Sequence, residues 1–119
     1  VSRFDTDALL RAAVDQAATI SQDLTFAIMD SAALREAVLR LQEDVSATLK
    51  AIEQETDAKK LANLQRDLAE VLPKRRKVIV SIAKSHGGAA LEDAAERALK
   101  LLSGIVIAAA RSFILGPAA

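Results

Sequence analysis

AALREAVLRLQEDVSATLKAI, residues 32–52, decides the fold. Leu34, Val38, Leu41, Val45 and Ile52 recur at three- and four-residue steps, with Thr48 or Leu49 at the one missing step. Residues so spaced stand above one another on one face of an α-helix, whereas a strand would scatter them over both faces. The stretch predicts a helix with a single apolar seam. Ser31 precedes it, and its hydroxyl can accept from the free amide hydrogens of the first turn. Continued in the same register, the seam meets Glu55 and Lys59 and stops. A new seam starts at Leu61 and runs through Leu64, Leu68 and Val71 or Leu72. The change of phase falls in Glu53-Gln54-Glu55-Thr56-Asp57, where Thr56 or Asp57 can cap, and predicts a helix–turn–helix hairpin. One long helix with a stutter is the alternative.

The same period extends in both directions. Leu10, Val14, Ala17, Ile20 or Ser21, Leu24 and Ile28 form a stripe that predicts a helix from about Asp7 to Asp30, with Asp5 or Thr6 as its cap. Downstream, Pro73 removes an amide donor, so the third helix is expected to kink or restart there and to continue to about Ser85. His86-Gly87-Gly88 is the clearest break. A last helix follows from about Ala90 to Leu115 and is closed by Gly116-Pro117. The expected fold class is all-α: one domain over residues 1–119, an antiparallel helical bundle of about four helices.

Composition agrees. Of 119 residues, 51% are apolar and 25 are Ala, while Gly and Pro together number six, too few turn residues for a β-sandwich. The apolar fraction and zero formal charge exclude a disordered chain. Without Cys there is neither a disulfide framework nor a thiolate metal site, and a single His rules out paired-histidine chemistry. No phosphate-binding Gly-rich loop, nucleophile elbow, His-Glu-x-x-His or EF-hand loop occurs, so no enzyme, no cofactor and no metal is expected. His86 stands in Ser85-His86-Gly87-Gly88-Ala89, and this resembles histidine phosphotransfer domains in size and helix content alone. It reads instead as a helix C-terminal residue near free carbonyls. Arg3, Asp5, Asp7, Arg11 and Asp15 interrupt any apolar leader, so a cytoplasmic or already processed protein is expected, with cytoplasmic the preferred reading.

Two features point to partners. Residues 1–58 hold 11 acids and five bases, net −6; residues 59–119 hold the reverse, net +6. Within the basic half, Lys74, Arg75, Arg76, Lys77 and Lys84 fall in a stretch, 71–91, without any acid. Such a collar either neutralises the acidic half or binds an anionic membrane surface or nucleic acid, the last weakly supported because no Tyr or Trp is present for base stacking. The second feature is the last helix, where Lys100 and Arg111 are the only charges between Leu99 and Leu115. That is short of the ~20 apolar residues of a membrane span, yet apolar nearly all round. Gly104, Ile105, Val106, Ile107, Ala108, Phe113 and Ile114 are the expected interface, with Gly104 and Ala108 allowing close helix approach. The functional expectation is a small structural or interaction protein that forms a homo-oligomer or binds a protein partner. A lipid-binding helical module is the alternative.

Overall fold

The computed structural model describes residues 22–114, with side chains to Arg111, together with Ala8, Arg11 and Asp15, which are helical and exposed. Among these residues there is no strand. Three helices follow one another: α1 (Gln22–Asp30), α2 (Ala32–Gln54) and α3 (Ala58–Ile114). Most of the helix expected over residues 7–30 lies outside the described residues.

The joints are chemical. At Ser31 the backbone turns extended (φ −104°, ψ 114°), and the side chain accepts from the Leu34 amide at 3.2 Å. The Arg35 guanidinium closes the corner by donating to the Met29 carbonyl at 2.8 Å. Glu55 ends α2: its backbone is extended, and its Oε1 accepts from the amides of Thr56 and Asp57, each at 3.1 Å. Asp57 then caps α3, its Oδ1 accepting from Lys59 N at 3.0 Å and its carbonyl from Leu61 N at 2.9 Å. The hairpin turn therefore lies at residues 55–57 with Asp57 as the cap. Leu49 takes the open step of the α2 seam and is buried, while Thr48 turns its hydroxyl to the Asp44 carbonyl at 2.9 Å.

Straight, the 57 residues of α3 would measure about 86 Å at 1.5 Å per residue. The longest dimension of the molecule is 44 Å, so α3 folds back on itself. The reversal is at Gly88 (φ 76°, ψ −162°), a backbone region essentially closed to side chains. Lys84 meets Glu92 across the bend at 3.7 Å. Far from it, Leu68 and Ala69 share a groove with Ile107 and Ala110. Gly87 is needed for a different reason: a Cβ there would stand 2.6 Å from Leu91 Cδ2 and 2.8 Å from Leu91 Cβ. At Pro73 the helix does not restart. The helix runs through it with helical dihedrals, because Leu68 and Leu72 before it and Ile79 after it are all anchored in the core.

That core is aliphatic. Leu34, Leu41, Val45, Leu49 and Ile52 of α2 meet Leu68, Leu72, Ile79 and Ala83 of the first limb of α3. On the second limb, Ala98, Leu102, Val106 and Ala110 make a buried stripe at four-residue spacing. From α1, Leu24 and Ala27 are buried against them.

Candidate interaction surfaces

The second limb of α3 divides the expected interface by helical geometry. Val106 is fully buried in the chain's own core, so it faces away from any partner. Ile105 and Ile107, about 100° to either side, are half-buried and pack against that core. Gly104 and Ala108 are exposed, and a Cβ added at Gly104 would meet nothing within 4 Å. The side chains of Phe113 and Ile114 lie outside the described residues. Leu101, which the sequence reading overlooked, is 38% exposed on the same outward side as Gly104 and Ala108. Its position three residues before Gly104 and four before Ile105 was a legible signal. The outward strip is thus Leu101, Gly104, Ala108 and the edge of Ile105, flanked by the exposed Lys100 and Arg111.

The basic collar is divided in the same way. Arg75 Nε donates to Asp44 Oδ2 on α2 at 2.8 Å, a half-buried pair that joins the basic half to the acidic half. Lys84 is paired with Glu92 across the bend. Lys74 and Lys77 are exposed and Arg76 is half-buried, and none of the three has an ion pair with a described residue. Val78, 46% exposed, lies next to them in sequence. Among the described residues, the collar meets the acidic half through the Arg75–Asp44 pair.

Two further features were not foreseen. On α1, Phe26 is 59% and Met29 65% exposed, since both lie off the Leu24–Ile28 stripe. Phe26, Asp23 and Asp30 line an open cleft of about 370 Å³ with His86 and Gly87 at the bend of α3. His86 is exposed there. The other feature is an apolar cavity of about 190 Å³ where α1, α2 and the second limb of α3 converge. Among the described residues no three carboxylate or imidazole groups converge in a way that could hold a metal ion, and no helix is long and apolar enough to cross a membrane. No protein-family model, curated protein or solved structure matches the chain.

Proposed function

We propose that this chain is a small interaction module, with no catalytic role, that pairs with a second copy of itself through the outward strip of the last helix. The observation that carries this reading is the strip itself: Leu101 and the edge of Ile105 project beside Gly104 and Ala108, an uncharged stretch between Lys100 and Arg111. Ridges of large side chains beside a groove of small ones are self-complementary under a two-fold axis, as a symmetric dimer requires. Each large side chain withdrawn from water contributes ~1.5–3 kcal/mol, so a few of them on each copy can offset the cost of association. In this reading the architecture is an antiparallel bundle of about four helices, with α1, α2 and the two limbs of α3 counted separately.

Gly104→Leu tests it directly. The new side chain enters open space within the monomer, so the fold is retained, but it obstructs close approach of a second helix. The parent should sediment as a dimer at micromolar concentration and Gly104→Leu as a monomer. A parent that sediments as a monomer at high micromolar concentration ends the proposal.

A second reading rests on Lys74, Arg76 and Lys77, which have no ion pair with a described residue, beside the exposed Val78. Cations next to an apolar side chain suit an anionic lipid surface. Vesicles containing phosphatidylserine should then bind the protein at low salt and release it as salt rises. Absence of binding at low salt excludes that reading, and binding of a DNA duplex in its place would support the nucleic-acid alternative.

A further inference from the structure

We infer that the cavity between α1, α2 and the second limb of α3 is a binding site for a slender, uncharged aliphatic molecule with one terminal hydrogen-bonding group. Its walls are aliphatic: Leu24 and Ile28 of α1, Leu41 of α2, Ile79, Leu99 and Leu102 of α3. No ionisable side chain is among the described lining residues. Thr25 and Gln42 are the polar side chains among the described lining residues, and the other ten are apolar. A dry apolar cavity of about 150 Å³ takes up benzene, so about 190 Å³ suits a chain or ring of about six to ten carbon atoms.

The empty volume has a sequence cause. The inner stripe of the second limb carries Leu at 91, 99 and 102 but Ala at 95 and 98, and both alanines are fully buried on the cavity wall. Methyl groups stand where the pattern elsewhere places isobutyl groups. The roof is α1, anchored by the buried Leu24 and Ala27, with the exposed Met29 near its end. Of the two polar side chains in the lining, Thr25 and Gln42, the second gives the site direction. The half-buried Gln42 amide lines the cavity and makes no hydrogen bond to a described residue. A hydroxyl or carbonyl at one end of an aliphatic ligand would meet it, while the chain points toward Ala95 and Ala98.

The test uses the full chain with 1-octanol and benzene as probes, read by methyl NMR and calorimetry. Saturable one-to-one binding of both is expected, with shifts at Leu24, Ile28, Ile79 and Leu102 and none at Ile52 or Leu68, which are buried outside the cavity. Ala98→Leu fills the space and should abolish binding of either probe while the protein stays folded. Ala95→Val is the milder variant if that change overpacks the core. Gln42→Leu should weaken 1-octanol roughly fivefold, the worth of one hydrogen bond, and leave benzene unchanged. No saturable binding to the parent up to the solubility limit, or shifts spread along Leu101 and Ile105 instead, overturns the site. Equal effects of Gln42→Leu on both probes overturn the assigned direction.

Discussion

Replacing Gly88 by Ala isolates the bend from everything else in the molecule. At φ 76° and ψ −162° the residue occupies a region that costs a side chain of order 1–3 kcal/mol. The Cβ itself meets nothing within 4 Å, so no steric contact with the rest of the fold adds to this. Alanine also narrows the unfolded ensemble, which returns about 0.4–1 kcal/mol. The net loss should be about 1–2 kcal/mol, a substantial part of the 5–15 kcal/mol by which domains are usually stable. Urea unfolding followed by far-ultraviolet circular dichroism measures it, with the midpoint falling and the slope unchanged. Residue 87 provides the contrast. Its backbone is helical, so alanine there gains ~1 kcal/mol of propensity but collides with Leu91, including the Cβ that no rotamer change can move away. Loss at 87 should therefore grow from Ala to Val to Leu, whereas at 88 it should be nearly independent of side-chain size. A Gly88→Ala protein as stable as its parent would falsify the bend, because residue 88 would then lie inside an uninterrupted helix. Small-angle scattering would show that outcome as a rod of about 86 Å in place of a body 44 Å long.

Other substitutions probe the remaining joints and the core. Ser31→Ala removes the acceptor of the Leu34 amide and should cost about 1 kcal/mol in the same urea assay, with Ser31→Asp restoring most of it. Leu49→Ala, at a fully buried position, should cost 2–5 kcal/mol, which fixes Leu49 and not Thr48 as the seam residue; a loss under about 1 kcal/mol would contradict that assignment. Asp44→Asn should cost about 0.5–1 kcal/mol at low salt and less at high salt, since its partner Arg75 is only half-buried. Changing Lys74 and Lys77 to Gln should leave unfolding unaltered, because neither has an ion pair with a described residue to lose; a clear drop in stability would show that the collar is structural throughout.

Much of this architecture is written in local chemistry and can be read residue by residue. The seam through Leu34, Leu41, Val45 and Ile52 specifies α2, because a period of three and four residues has only one regular backbone that buries it. Ser31 and Asp57 announce their helices by a side-chain oxygen placed against free amides, an interaction confined to a few neighbouring residues. Gly88 marks the reversal of α3 for the same reason, since its conformation is closed to other residues whatever surrounds it, whereas Gly87 is kept small by Leu91. What tertiary structure alone decided is which side of each helix is free. Ile105, Val106 and Ile107 have nearly equal hydrophobicity, so their order in the chain cannot rank them; only the neighbouring helices bury Val106 and leave Leu101, Gly104 and Ala108 outside. Pro73 likewise depended on packing, since core contacts on both sides carry the helix through a residue that locally opposes it. Within the collar, Arg75 forms a cross-helix pair with Asp44 while its three neighbours have no ion pair with a described residue, because Coulomb partners are set by distance in space and Asp44 is 31 residues away in sequence.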